Sequence, residues 1–235
     1  MILLRAIEPI QGANKMRESR GQSRSDKGAG LKDHQLCDGP SKICQAFQID
    51  RETFDKYNLA LGETLWIEKG EDIDDSRTVV TTRVGLDKAE EEWRNKPWRF
   101  YVRGCKSVSK RDKTAEGSMS SQGSSTSSKY TPQTPKHAKL ESQKDVKKQI
   151  SKQDSEDTRF NSFSHDGLEL SKLLLGQILV RKLNSGQILR GRIIETESYL
   201  GEADGACRGA RAVKKDSAMY MDPGTACVHN MYRHN

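Results

Sequence analysis

The sequence predicts an α+β fold built on an antiparallel sheet. Short apolar segments such as "RTVVTTRV" and "WRFYVRG" are typical of strands. Segments with helix-start and helix-stop signals lie between them. Only 33% of the 235 residues are hydrophobic and 6% are aromatic, so we expect part of the chain to lie outside any packed core.

The first part of the chain has ordinary globular patterning. We expect "MILLRAIEP" to begin inside a strand. "DGPSKICQAFQI" predicts a helix, because Asp38 or Gly39 can cap it and Pro40 suits its first position. Beyond it, "TLWIE" and "RTVVTTRV" predict strands, "DKAEEEWRNK" an amphipathic helix and "WRFYVRG" a closing strand.

The composition changes sharply after "RFYVRGCKSVSKRD". Residues 107–160 are mainly Ser, Lys, Gln, Thr and Asp, with hardly an apolar residue, which predicts a disordered linker. The chain is therefore expected to have three parts: residues 1–106, the linker 107–160 and residues 161–235.

The part after the linker predicts one helix and one long hairpin. "DGLELSKLLLGQ" is typical of a helix that stops at Gly176. "QILVRKLNSGQILRGRIIETESYL" predicts a hairpin that turns at residues 184–186. The last residues, "CVHNMYRHN", resemble a further strand. Strands at both chain ends indicate that the two parts are pieces of one larger unit, because termini usually lie in polar, exposed sequence.

The charge and the apolar runs narrow the class of protein. A formal net charge of +7 favours a polyanionic partner, such as nucleic acid or an anionic membrane surface. No apolar run reaches the roughly 18 residues of a membrane span, and the apolar core of "MILLRAIEPI" is short for a signal peptide. We therefore expect a soluble intracellular protein.

The five cysteines contain no C-x-x-C pair, which favours free thiols in a reducing compartment. Cys227, His229 and His234 could suggest a metal site. Their spacing matches no standard zinc pattern, so we expect no metal.

One strand carries an unusual set of polar residues. In "RIIETESYL", the period of two places Ile193, Glu195, Glu197 and Tyr199 on one face. Burying an unpaired carboxylate costs several kcal/mol, so this face is either solvated or a working surface. The strand taken alone leaves both interpretations open, and a solvated strand face is the more common of the two.

Several separate stretches together resemble one protein family. These are "LGQILVRKLNSGQILRGRIIETESYLG", "MYMDPGTACVHNMY", "LLRAIEPIQG", "CDGPSKICQAF" and "WRFYVRG". They resemble the alkyladenine-DNA glycosylase family, also known as animal-type 3-methyladenine-DNA or methylpurine-DNA glycosylases. The resemblance covers nearly everything outside the linker and implies a single glycosylase-type domain on a curved antiparallel sheet with flanking helices.

The two halves of the family sequence stand here in reversed order. The second half of the family corresponds to about residues 1–112 and the first half to about residues 160–235. The family segment that would join the last residue to the first is absent. A circular permutation and a fusion of two tandem copies both fit this order, and the fusion is the preferred origin. We expect low stability or pairing with a second chain, because unpaired strand edges would remain.

The resemblance implies a DNA repair enzyme. Such an enzyme hydrolyses the N-glycosidic bond of alkylated or deaminated purines, namely 3-methyladenine, 7-methylguanine, hypoxanthine and ethenoadenine, after base flipping. This is the first step of base excision repair. The implied partner is damaged double-stranded DNA, the implied location is the nucleus, and no cofactor or membrane is implied.

The resemblance also assigns roles to individual residues. Glu197 matches the general base that activates a water, and Arg5 matches the arginine beside it. Glu195 would be a neighbour of Glu197 rather than a second catalyst. Tyr199 and His229 match aromatic positions that stack on the flipped base.

Further residues match positions that face DNA. Tyr232 matches the side chain wedged into the gap that the flipped nucleotide leaves. Lys42 stands at a helix start, where a cation and the helix N-terminus together favour a phosphate. The other matched positions are Arg20, Arg211, Lys215 and Met219.

Two features depart from the family pattern. The family histidine that contacts the flipped base has no counterpart in "DGACRGAR", and the absent joining segment contains a family asparagine. Two alternatives to an active glycosylase therefore stay open. One is a catalytically impaired DNA-binding remnant, and the other is a module that uses the same sheet to bind RNA or protein.

Overall fold

The computed structural model describes residues 1–22, 25–118, 158–207 and 218–228. The strands are β1 (Ile2–Gln11), β2 (Leu65–Glu68), β3 (Thr78–Thr81), β4 (Arg99–Val102), β5 (Ile178–Lys182) and β6 (Ile188–Ser198). The α-helices are α1 (Ala13–Gly21), α2 (Pro40–Phe47), α3 (Arg51–Phe54), α4 (Glu91–Arg94), α5 (Lys113–Ser118) and α6 (Gly167–Leu173). Short 3₁₀ turns occur at Asp33–Gln35, Gly201–Ala203 and Ala218–Tyr220.

The six strands form one antiparallel sheet, with β6 at its centre. β1 pairs along almost the whole of one edge of β6. β5 and β4 share the other edge, β5 at the start of β6 and β4 at its end. β2 and β3 complete the sheet beside β5 and β4. The predicted α+β fold with an antiparallel sheet is thus confirmed.

Apolar side chains cover both faces of this sheet. Ile193 belongs to a core cluster that includes Phe47, from α2, and Met16, from α1. Its neighbour Ile194 belongs to a second cluster on the opposite face, with Tyr101 from β4. Every residue of β6 from Ile193 to Ser198 is buried. This part of the strand has no solvated face on which a charged side chain can rest, and this decides how its carboxylates must be accommodated.

Most of the predicted elements are present. The helix at Pro40 begins after Gly39 as its N-cap, with proline in the first turn. The hairpin between β5 and β6 turns at Gly186, whose φ of 82° only glycine adopts without strain. The strand predicted in "MILLRAIEP" is β1. The strand predicted in "CVHNMYRHN" lies mostly in residues 229–235, outside the described residues.

One predicted helix is much shorter than expected, and three helices were not predicted. "DKAEEEWRNK" forms only the four residues Glu91–Arg94. The run offers few apolar side chains to bury besides Trp93, and Pro97 disfavours a helical conformation for the residue before it. The helices α1, α3 and α5 carry weak apolar patterns, and sequence reasoning missed them.

Folded structure continues past residue 106 and begins before residue 161. Val108 is buried in the second cluster, and Phe160 is buried in the first. Asp112 caps α5, because its Oδ1 accepts hydrogen bonds from the backbone N–H groups of Thr114 and Ala115. The disorder predicted for the remainder of the linker concerns residues 119–157, which lie outside the described residues.

Two glycines with the same backbone conformation provide a matched test of packing at the end of α6. Gly176 and Gly186 have φ values of 85° and 82°. A Cβ on Gly176 would lie 1.8 Å from the carbonyl oxygen of Glu71, whereas one on Gly186 would meet nothing within 4 Å. Both alanine substitutions carry a left-handed strain of about 1–2 kcal/mol. Only Gly176→Ala adds crowding. We therefore expect this variant to lose about 1–3 kcal/mol more of its free energy of unfolding than Gly186→Ala does. Equal losses in urea unfolding would show that the crowding is relieved by backbone movement.

The pairing of β1 with β6 brings the first and the last strand of the described fold together. Leu3 lies opposite Glu197, and Leu4 opposite Thr196. The resemblance implied that Arg5 lies beside Glu197, and the pairing of β1 with β6 brings these two residues together.

This register predicts a specific cross-link. Opposed residues in an antiparallel pair have Cα atoms about 4.5–5.5 Å apart, which suits a disulfide. The Leu4→Cys/Thr196→Cys variant should oxidise readily, and peptide mass spectrometry should find the link within one chain. Leu4→Cys/Ser198→Cys is the control, because Ser198 lies opposite Ile2 instead. Links found only in dimers would show that β1 pairs with the β6 of a second chain.

Candidate active site

The carboxylate of Glu197 is buried near the end of β6 and has three polar partners. Its Oε1 accepts a hydrogen bond from the backbone N–H of Val84 at 2.9 Å. Its Oε2 accepts one from the Tyr199 hydroxyl at 2.9 Å. The Nε of Arg5 lies 3.3 Å from Oε1. The partners belong to three different segments, so tertiary structure fixes the orientation of this carboxylate.

Arg5 reaches the site from an irregularity in β1. The register between β1 and β6 shifts on both sides of Ala6, so that Ala6 rather than Arg5 lies opposite Glu195. Bulges of this kind redirect a side chain and are common beside active sites. The Nε of Arg5 lies 3.3 Å from Glu195 Oε1 and at the same distance from Glu197 Oε1. Arg5 is thus shared between two carboxylates.

Glu195 is also buried, and a second arginine holds it. Nη1 of Arg99, from β4, donates to Glu195 Oε1 at 2.7 Å. Arg99 also donates to the backbone oxygens of Thr82 and Lys110. Burial raises the pKa of Glu195 above its ordinary value, while Arg5 and Arg99 oppose that shift.

The solvated reading of this strand face is wrong. The side chains of Glu195 and Glu197 are both fully buried, although a lone carboxylate could not be buried at acceptable cost. Two arginines from β1 and β4 face them and balance their charge. Glu195 and Glu197 therefore form a buried ionic cluster with Arg5 and Arg99.

Tyr199 lies directly after β6 and is half-buried. Burial raises the pKa of its phenol, the neighbouring Glu197 raises it further, and Arg83 and Arg5 oppose the shift. The hydroxyl therefore stays protonated at neutral pH and can donate to Glu197. One face of the ring lies against the Arg83 guanidinium, whose Cζ is 4.6 Å from the ring centroid.

Three of the predicted DNA-facing residues lie on elements other than the strands that carry this ionic cluster. Lys42, in the first turn of α2, pairs with Asp38 at 2.7 Å and remains 41% exposed. Arg20, in α1, donates a hydrogen bond to Gln45. Met219 lies in the 3₁₀ turn Ala218–Tyr220. The remaining predicted site residues, His229, Tyr232, Arg211 and Lys215, lie outside the described residues.

Sequence reasoning missed three charged residues beside the site. These are Arg99, Arg83 and Asp204. The signal was present for the arginines, because Arg99 stands in the apolar run "WRFYV" and Arg83 follows "TVVTT". An arginine inside an apolar run is rarely buried unless it is paired, so such a position indicates a buried partner. No feature of the sequence near Arg83 indicates that its partner is Asp204.

The cluster holds one carboxylate in a fixed orientation. A guanidinium, a backbone N–H and the Tyr199 hydroxyl all contact Glu197 and limit the rotation of its carboxylate. In the described part of the chain, no group of three His, Cys, Asp or Glu side chains is arranged to hold a metal ion. No helix in the described ranges is long and apolar enough to cross a membrane.

Comparison with known proteins gives one family for the two parts of the chain that contribute to this site. The chain matches the family model described as methylpurine-DNA glycosylase over residues 1–106 and 161–235. It is 45% identical over 118 residues to the DNA-3-methyladenine glycosylase of Mus musculus, which covers 49% of this chain and 35% of that protein. The Homo sapiens protein of that name is 44% identical over 117 residues, covering 49% of this chain and 39% of the human protein.

A bacterial relative is also similar. A putative 3-methyladenine DNA glycosylase of Clostridium botulinum is 36% identical over 110 residues, covering 47% of this chain and 52% of that protein. The chain thus spans between about a third and about half of these relatives. The family model, in contrast, matches most of the chain and includes both β1, with Arg5, and β6, with Glu197. The chain therefore belongs to the methylpurine-DNA glycosylase family.

Proposed function

We propose that this chain is a DNA repair glycosylase. In this proposal it hydrolyses the N-glycosidic bond of alkylated or deaminated purines in double-stranded DNA. The observation that carries the proposal is the buried Glu197 carboxylate, held by the Val84 N–H, Arg5 and the Tyr199 hydroxyl. Membership of the family and the relatives named DNA-3-methyladenine glycosylase support it.

The proposed reaction needs one base and one water. As the bond between the sugar and the purine breaks, its electron pair goes to the departing base, and the sugar gains oxocarbenium character. A water attacks the anomeric carbon and gives its proton to Glu197. An alkylated purine is already electron-poor and leaves readily, so a single carboxylate suffices for it.

The proposal includes base flipping, because the anomeric carbon is inaccessible inside a stacked duplex. The flipped purine would stack on the Tyr199 ring, whose hydroxyl touches Glu197. His229 and Tyr232 remain candidates for a second stacking residue and for the wedge. Phosphates would be held by basic residues of this positively charged chain, with Lys42, Arg20, Arg211 and Lys215 as candidates. We extend the proposal to a nuclear location, where its substrate would be.

A direct excision assay tests this function. The full chain is incubated with duplex oligonucleotides that contain hypoxanthine, ethenoadenine or 7-methylguanine, and abasic sites are cleaved with alkali. We expect cleavage at the lesion and none in the undamaged duplex. Salt-dependent binding to damaged duplex without cleavage would show a DNA-binding remnant instead, and preference for RNA would show a different module.

Two substitutions at Tyr199 separate stacking from hydrogen bonding. Tyr199→Ala removes the ring, and base stacking on an aromatic plane contributes about 1–3 kcal/mol. Tyr199→Phe keeps the ring and removes only the hydrogen bond to Glu197. We expect Tyr199→Ala to lower the single-turnover excision rate more than Tyr199→Phe does. Equal losses would assign the role to the hydroxyl and remove the ring from base binding.

A further inference from the structure

Arg83 is a buried arginine that the reaction proposed above does not use. Its side chain and that of Asp204 are both fully excluded from solvent. Nη1 donates to Asp204 Oδ2 at 2.5 Å and to the backbone oxygen of Ser198 at 2.9 Å. Nη2 donates to Asp204 Oδ1 at 3.1 Å and to the backbone oxygen of Trp93 at 3.2 Å. Because the guanidinium is planar and rigid, this two-pronged pair and two carbonyls fix its plane.

The fixed guanidinium lies against two aromatic rings. Its Cζ is 4.6 Å from the ring centroid of Tyr199 and 4.9 Å from that of Trp98. Both distances are within the range of cation–π attraction. Arg83 therefore occupies one face of the Tyr199 ring, and a base can stack only on the other face.

The Tyr199 ring is thus held at two points. Its hydroxyl donates to Glu197, and one face rests on Arg83. A ring that is already fixed loses less conformational entropy when a base stacks on it, and it presents that base at a defined distance from Glu197.

We propose that Arg83, held by Asp204, is the positioning residue for Tyr199. It closes one face of the ring to ligands and sets the plane on which an extrahelical purine stacks. The inference rests on the proposed glycosylase function. It adds a residue that acts through Tyr199 and touches neither the base nor the water.

A double-mutant cycle tests whether Arg83 acts through Tyr199. Arg83→Met/Asp204→Leu removes both charges and leaves neither buried alone. With Tyr199 present, this change should lower single-turnover excision about tenfold, a loss within the range of base stacking. In a Tyr199→Ala background it should lower excision less than about twofold, because the ring that Arg83 positions is gone. The same tenfold loss in both backgrounds would overturn the proposal.

Lys96→Met is the matched control. The Nζ of Lys96 lies 5.9 Å from the ring centroid of Trp98, the ring that Arg83 also contacts. This substitution therefore removes a cation beside Trp98 and leaves the contact between Arg83 and Tyr199 in place. Excision by this variant should stay at the parent level. If the Arg83→Met/Asp204→Leu chain does not fold, Arg83→Lys replaces it, because lysine keeps the charge but cannot form the planar pair.

An NMR measurement on the free protein separates this inference from the proposed function. The ring signals of Tyr199 are assigned by their loss in Tyr199→Phe. They should shift when Arg83 is replaced and remain in place in Lys96→Met. If no lesion is excised by the parent chain, the glycosylase proposal fails. The ring signals then still show whether Arg83 holds the Tyr199 ring. Signals that do not shift on replacement of Arg83 would overturn the positioning role, and shifted signals would support it.

Discussion

Replacement of Glu197 by glutamine should lower the single-turnover rate of base excision by about 10²- to 10⁴-fold, the range that a positioned general base contributes. Glutamine has nearly the same shape, and its carbonyl oxygen can still accept the Val84 N–H. It cannot take a proton from water, and its neutral amide attracts Arg5 less. We expect the variant to fold and to bind damaged duplex as the parent does.

Glu68→Gln is the matched control for this substitution. Glu68 also lies on a strand of the sheet and also faces an arginine, Arg190, at 3.2 Å. It lies outside the Glu197 cluster, so excision should change by no more than about twofold. If the Glu197 and Glu68 variants excise at equal rates, Glu197 is not the general base.

Replacement of Arg83 by methionine should lower the free energy of unfolding by about 3–5 kcal/mol, the usual cost of leaving one buried charge without its partner. The carboxylate of Asp204 would keep only the backbone N–H groups of Leu200 and Ala206. Such a loss is a large part of the stability of an ordinary domain. Urea unfolding followed by circular dichroism measures it.

Two further variants show whether the burial of the Arg83–Asp204 pair causes the expected loss of stability. Arg77→Met removes an arginine whose pair with Glu71 is partly exposed, at 28% and 44%, and should cost at most about 1 kcal/mol. Adding Asp204→Leu to Arg83→Met should recover most of the loss, because no unpaired charge then remains. A loss for Arg83→Met no larger than for Arg77→Met would mean that water reaches Asp204.

Local signals predicted much of the fold. The alternation in β6 predicted that Glu195 and Glu197 share a face, and their shared contacts with Arg5 agree with it. It also placed Ile193 on that face, which is wrong: Ile193 packs in the first cluster, whereas Ala6 and Tyr101, opposite Glu195, belong to the second. Gly39 and Pro40 predicted the start of α2, and the turn at Gly186 predicted the hairpin. These features depend on residues that are neighbours in the sequence, where spacing and turn chemistry are decisive.

The partners in the site could not be predicted in the same way. Nothing near Arg99 or Arg83 indicates that their carboxylates are Glu195 and Asp204, because each pair joins distant segments of the chain. The register shift beside Arg5 is likewise a property of two paired strands rather than of either strand. The position of Arg5 beside Glu197 was expected from the family resemblance alone.

The pairing of β1 with β6 links residues from nearly opposite ends of the sequence. Folds dominated by such contacts have high contact order, and they fold slowly because a long loop must close before its contacts are gained. Arg5 and Glu197 become neighbours only through this pairing, so no local folding unit can contain a complete site. Activity should therefore appear only in the last, global step of refolding and disappear in the first step of unfolding that separates these two strands.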